Sequence, residues 1–470
     1  MRGTTEPPSS RRWPPGLPLW LVPVPFGTPR RIPNLLAWGA DLAPDGRTLA
    51  VVDVRWSGDE AQWWLHLAGV DGTRQRTLGP LPRGAARARW APDGARFRMT
   101  VQDVRGNQIW EWPVDGGQPR PLWPGTGGAW TADGRHFLFE RERGGKDQSD
   151  IFVRHESRWP PRLGSATERL TVGPLSFWHS GPSPDGRHLF AYGRIGRGEL
   201  MRFDPATKAY TSMLGGESAI YAEPSPDGQW LAWVRYPEGT LWKSRPDGSE
   251  RLLLTNQPLE AHLPRWSPDG QRLAFSGRSP SQPQLSIHVV AADGSTMDIV
   301  ARPPEGLDDY WDPCWMPDGT LVFGLRNEGR PGGLLQTDPR GSGVHRMPGA
   351  ETLRWPKCSR QGDLLATGSD GHYQARRRGA SSWEDLGPLS LAYPNWTQDS
   401  RAFCGYEVPS SRLACVSMAS RQRTVMADDL PFPLLGWLGN SWMGLDAEDR
   451  PLVTADRSTI GFYALDWEAP

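Results

Sequence analysis

With 53 basic against 53 acidic side chains in 470 residues and a pI near 7.1, the chain carries no overall field that would gather nucleic acid. Four cysteines are too few for a disulfide framework, and no CxxC or Cys/His spacing points to zinc. Fifty-four glycines and 47 prolines make it rich in turns without reaching the level of disorder.

Residues 1–18 read as a flexible tail. Ser10-Arg11-Arg12-Trp13 superficially matches a twin-arginine export signal, but the apolar stretch that follows is short and broken by Pro14, Pro15, Pro18 and Pro23. Such a stretch makes neither a signal helix nor a membrane span. Leu19 to Ile32 reads instead as the second half of a repeat, so the chain opens inside one.

From there a turn recurs at Asp45, Asp93, Asp133, Asp185, Asp227, Asp269 and Asp318, each followed by glycine and all but Asp133 preceded by proline. The intervals are 48, 40, 52, 42, 42 and 49 residues, the period of a propeller blade. Three decayed copies follow, at Ser359 to Gly362, Thr397 to Ser400 and Asp446 to Asp449. Proline pre-sets φ at the second turn position, aspartate tolerates the third, and glycine takes the left-handed conformation that leads into the next strand. These aspartates therefore read as structural.

Each turn joins two strands. Upstream lies a run ending in a large apolar residue such as Trp90, Trp130, Trp266, Trp315 or Trp396, and downstream an alternating strand such as Trp230 to Val234. A second half-repeat, such as Leu241 to Gly248 before Arg251 to Leu254, supplies two more. The fold class is all-β: a β-propeller of about ten four-stranded blades. Single rings have four to eight blades, so the blades form either two rings or one large or open ring. Leu214-Gly215-Gly216-Glu217-Ser218 offers a break between a set of about four blades at 19–215 and a propeller of about six at 216–470; the alternative is one continuous propeller over 19–470.

Cys404 and Cys415 fall on consecutive strands of one hairpin, where they either bond or pack as small buried side chains. Packing is the simpler reading. Cys314 and Cys358 occupy the slot just before a turn and read as core.

The Ser-Pro-Asp-Gly repeats resemble the TolB-like, WD-repeat-like branch of bacterial β-propellers over residues 19–470. Pro174 to Trp178, Tyr236 to Trp242, Leu263 to Gly270 and the ending Tyr463 to Pro470 resemble more closely the C-terminal sensor-type region of winged-helix transmembrane regulators. That resemblance implies an extracytoplasmic module that receives a signal or binds a protein. The winged helix and the span are absent from these 470 residues, so DNA binding and anchoring are not implied for them, and the family supplies no catalytic residues to map.

Enzyme motifs are wanting. Gly181-Pro182-Ser183-Pro184 is a repeat turn rather than a nucleophile elbow, and Gly439 to Gly444 has the wrong spacing for one. No cofactor or metal site can be named. The residues six and seven before each turn aspartate enter the innermost strand and should cluster at one mouth of the channel: Trp178 and His179, Ile220 and Tyr221, His262 and Leu263, Trp311 and Asp312, Ala392 and Tyr393. With Asp308, Asp309 and Tyr310 beside them they form a candidate surface for a protein or small ligand. The alternative is that each packs against its neighbouring blade. The leading expectation is a non-enzymatic recognition module, with a hydrolase acting on carbohydrate or another small molecule in the channel as the competitor.

Overall fold

The computed structural model describes residues 16–467 apart from 24–25, 58–59, 83–84, 104–105, 144–147, 157–166, 305–308, 327–331, 339–342, 369–370, 408–409, 429 and 438–439. Among the described residues there is no α-helix, and the strands fall mostly into four-stranded antiparallel sheets that follow one another along the chain. The fold is a β-propeller of about ten blades.

The Pro-Asp-Gly turn builds each blade. In Ser267-Pro268-Asp269-Gly270 the Asp269 carboxylate accepts the Ser267 hydroxyl and, at 3.0 Å, the Gln271 amide, while Ser267 Oγ accepts the Arg272 amide at 3.0 Å. Gly270 takes φ +68°, where a side chain would be strained. The same bonds recur at Asp185 and Asp227. The Ser267 hydroxyl, followed by the Gln271 amide, holds the Asp269 carboxyl below the usual carboxylate range. An aspartate saturated in this way is committed to the turn.

Contacts divide the described residues into two compact units, one within residues 196–459, the other within residues 16–195 together with 460–467. The sequence places the break at 215/216; tertiary pairing moves it earlier. Strands Gly198–Asp204 and Ala209–Ser212 pair onto Pro451–Asp456 and Met443–Leu445, so the two ends of the larger unit complete one blade between them. Five further blades lie between, starting with Ala219–Pro224, Glu260–Trp266, Asp309–Trp315, Arg354–Cys358 and Leu391–Trp396. Each of these innermost strands packs beside the next, and Met443–Leu445 touches both the fifth and the first. The ring of six closes, with the two ends of the larger unit held in one sheet.

In the smaller unit, blades start at Gly39–Leu42, Ala86–Trp90 and Thr126–Trp130. A three-stranded sheet follows, in which Ser176–Pro182 and His188–Ile195 are joined by Thr459–Asp466 from the carboxyl end, and Leu17–Leu21 pairs with Arg30–Ala37 as a two-stranded sheet.

Both cysteine pairs are bonded. Cys404 and Cys415 join adjacent strands of one blade, and Cys314 and Cys358 join two blades. The core reading of Cys314 and Cys358 is thus corrected. Their slots lie 44 residues apart in sequence, but the ring brings their Cα atoms to 5.5 Å.

Candidate functional site

A single backbone irregularity shapes the channel of the six-bladed ring. In five blades the innermost strand slips register against its neighbour, between Ile220 and Glu223, His262 and Arg265, Trp311 and Cys314, Arg354 and Lys357, and Ala392 and Asn395. Each slip holds one left-handed residue: Tyr221, Leu263, Asp312, Trp355 or Tyr393, with φ between 46° and 58°. A β-bulge of this kind re-aims the residues that follow it. Two positions on, Glu223, Arg265, Cys314, Lys357 and Asn395 all line one cavity, together with Leu445 of the sixth blade.

That cavity holds about 280 Å³ and opens on the turn face, where Pro226, Pro268, Pro317 and Arg360 form its rim. Beneath it lies an ion network. Arg265 donates to Glu223 at 2.8 Å and approaches Asp312 at 3.6 Å, and the Lys357 ammonium bonds the other oxygen of Asp312. Asp312 is wholly buried and Lys357 and Arg265 nearly so, whereas the Glu223 side chain is 27% exposed. Burial drives the Lys357 pKa down to about 8 against the pull of Asp312. Burial also raises the Glu223 carboxyl, with Arg265 opposing. For Arg265 burial works against the charge, but Glu223 and Asp312 outweigh it and its pKa rises. Buried charges of this kind persist only as partners, because removing one leaves another uncompensated.

The described candidate residues from the sequence divide into four groups. Tyr221, Trp311 and Tyr393 pack into one apolar cluster with Leu263 and Trp442. His262 lies 6.1 Å from Tyr221 and 5.7 Å from Trp311 between ring centroids, and Trp355 stands 6.0 Å from Trp311. These groups converge around the channel and pack against one another. Asp312 belongs instead to the ion network. Asp309 accepts the Leu285 amide of the preceding blade at 2.8 Å, and Tyr310 is buried 5.0 Å from Phe323 of its own blade, in a cluster with Ile287 and Val289 of the preceding one. Asp308 lies outside the described residues. Trp178 and His179 belong to the smaller unit, where Trp178 is half-buried and exposed His179, left-handed at φ 55°, lies 6.1 Å from Tyr192.

Sequence reasoning passed over Glu223, Arg265, Lys357 and Asn395. The signal for them was present: a charged or amide residue one place before the buried pre-turn slot, as Arg265 stands before Trp266 and Lys357 before Cys358. An alternating strand gives no reason for a charge there unless the position faces a cavity.

No family model matches the chain. A stretch of 169 residues is 25% identical to an uncharacterized protein of Agrobacterium fabrum, covering 34% of this chain and 57% of that relative. Another of 67 residues is 39% identical to an uncharacterized peptidase of Bacillus subtilis, covering 14% of this chain and 10% of that protein. The chain therefore spans just over half of the first relative's length and a tenth of the second's. Similar solved structures include a TolB-type protein of Agrobacterium tumefaciens, at 17% identity and TM-score 0.21 over 58% of this chain and 83% of that one. An oligogalacturonate lyase of Vibrio parahaemolyticus matches at 12% identity and TM-score 0.29 over 76% and 93%. Likeness of that order says nothing of residues or chemistry, and the propeller fold stands on strand order and ring closure.

Among the described residues, no helix is long and apolar enough to cross a membrane, and no group of three His, Cys, Asp or Glu is placed to hold a metal ion.

Proposed function

We propose that the six-bladed unit is a non-catalytic recognition module, a sensor or protein-interaction part of a bacterial regulator, whose ligand enters the channel from the turn face. The observation that carries this reading is the pairing of charge. Arg265 and Lys357 are both held by carboxylates, and Glu223 is the one carboxylate among the described residues lining the cavity. Hydrolysis by paired carboxylates needs two of them facing the reacting bond. Two disulfides fit an oxidising, extracytoplasmic setting.

Saturation-transfer NMR with a mixed library of anionic, neutral and cationic fragments tests the reading. At least one fragment should show transfer that disappears in Pro268→Trp, an exposed rim substitution, without being turned over. Cleavage of a glycoside or peptide by the unmodified chain, lost in Glu223→Gln, would overturn it in favour of a hydrolase. Fragments that bind only independently of the rim would overturn recognition at this cavity.

A further inference from the structure

The outermost strand of a blade is a sheet edge, and an edge invites pairing with another chain unless it is short, charged or broken by proline. Nine described sheets have four strands, and in each the outermost strand meets one of those conditions. Four of them, such as Leu252–Leu253, run to four residues or fewer. The other five carry a charged residue or proline, as Arg76 and Pro80 do in Arg74–Leu81 and Arg423 does in Arg423–Ala427.

Thr459–Asp466 breaks that rule. It is the third and last strand of the sheet formed with Ser176–Pro182 and His188–Ile195, and no described strand pairs with its far edge. Eight residues long, it is uncharged from Thr459 to Leu465 and holds no proline. His188 meets Asp466, and further along Tyr192 meets Phe462, so the strand runs antiparallel to its neighbour. Its outer face is as open as its edge. Tyr463 and Leu465 pack toward the preceding blade with Leu138 and Phe177, whereas Ile460 and Phe462, on the other face, are 67% and 66% exposed. Phe462 stacks 5.8 Å from Phe190 and meets Tyr192 edge-on at 5.4 Å, and both of those rings are exposed as well. An aromatic ladder thus runs out to an unpaired strand.

We infer that this edge pairs with the same edge of a second copy, giving a two-fold dimer joined by one continuous sheet with three strands from each copy. Geometry and charge choose a second copy. The outermost strand of the other blades runs antiparallel to its neighbour, and two copies of one strand related by a two-fold axis pair in that sense, with like faces on the same side. The two central registers set Phe462 opposite Phe462 or opposite Ala464 of the other copy, so the ladder continues across the joint. Asp466 closes the strand at one end, and Arg457, ion-paired with Glu199, stands two residues before the other end, so self-pairing brings opposite charges near each other. Each copy covers the open edge of the other, and the assembly stops at two. This goes beyond the recognition reading and does not depend on it.

Sedimentation velocity of the full chain across a dilution series is the test, with a reversible monomer–dimer equilibrium expected. Ala464→Lys and Ile460→Lys place on this edge the charge that other edges carry, and each should weaken the dimer about tenfold or more. Both positions are exposed, so the melting temperature of the dilute monomer should not change. Hydrogen exchange of the unmodified chain should show protection that rises with concentration in Thr459–Asp466 and not in Arg74–Leu81, and the acetylated peptide of residues 459–466 should compete the dimer apart. A chain that stays monomeric at every concentration overturns the inference, even where an unrelated strand peptide binds this edge. A dimer untouched by both lysine variants, or one whose new protection lies elsewhere, overturns it as well.

Discussion

The two units use the same pre-turn tryptophan in different ways. In the six-bladed ring the indole N–H of Trp266, Trp315 and Trp396 donates at 3.0 Å to the carbonyl of Glu223, Arg265 and Lys357 respectively, the channel residue of the preceding blade. Each bond ties one blade to the next at the channel wall. In the smaller unit Trp90 and Trp130 hold the same slot and are equally buried, but neither indole N–H has a hydrogen-bond partner among the described residues. There the ring faces carry the contact: the Arg98 guanidinium lies 4.3 Å from the centre of Trp130 and Arg96 lies 5.3 Å from it. A directional hydrogen bond fixes the blade spacing, whereas a cation over a π face tolerates sliding.

The disulfide belongs to the same comparison. Cys358 occupies the tryptophan slot of its blade and bonds Cys314, the channel residue of the blade before it. A covalent link therefore stands where the neighbouring blades have an indole-to-carbonyl bond.

The largest effect should come from breaking that link. Replacing Cys314 and Cys358 together by serine should cost about 3–4 kcal/mol, the range for a closed loop of several tens of residues. Hydrogen exchange should show the loss in strands Asp309–Trp315 and Arg354–Cys358. Cys314→Ala with Cys358→Trp should recover part of it, since tryptophan serves that slot in neighbouring blades; no recovery would mean that the two links are not equivalent.

Next is a pH effect confined to the larger unit. His288 is buried, stacked 5.1 Å from Phe275, and burial drives its pKa down to about 4. The unfolded chain takes up a proton near pH 6.5 that the folded chain refuses until about pH 4, so stability falls as pH drops through that window. The loss can reach about 3 kcal/mol at pH 4 and below. Denaturant titrations from pH 7 to 4 should show this limb and should lose it in His288→Phe; an unchanged slope would sink the assignment.

The smallest effect separates the two uses of tryptophan directly. Trp315→Phe and Trp130→Phe remove similar volume from similarly buried sites, but only the first breaks a hydrogen bond. The first should cost about 1 kcal/mol more than the second. Equal losses in chemical denaturation would show that the indole bond adds nothing to packing.

Much of the fold was legible because it repeats. The Ser-Pro-Asp-Gly turn, the alternating strand after it and the spacing in the forties are local features, and each recurs often enough to be read without a partner. The candidate site was legible only in part. Reading toward the channel mouth named Tyr221, His262, Trp311, Asp312 and Tyr393, but its fixed offset before each turn aspartate ends at the bulge itself. One extra residue shifts which side chains face the channel, and so the reading stopped short of Glu223, Arg265, Lys357 and Asn395.

The sequence by itself determined the blade: its turn chemistry, its strand alternation and the commitment of the turn aspartates to the backbone, all of which act over a few residues. Tertiary structure decided the rest. It set which strands from the ends of the larger unit complete its sixth blade, that Cys314 bonds Cys358 of the next blade, and which charges meet beneath the cavity. Those outcomes depend on residues about 40 to 250 positions apart that only ring closure brings together, and a period alone cannot say which copies will meet.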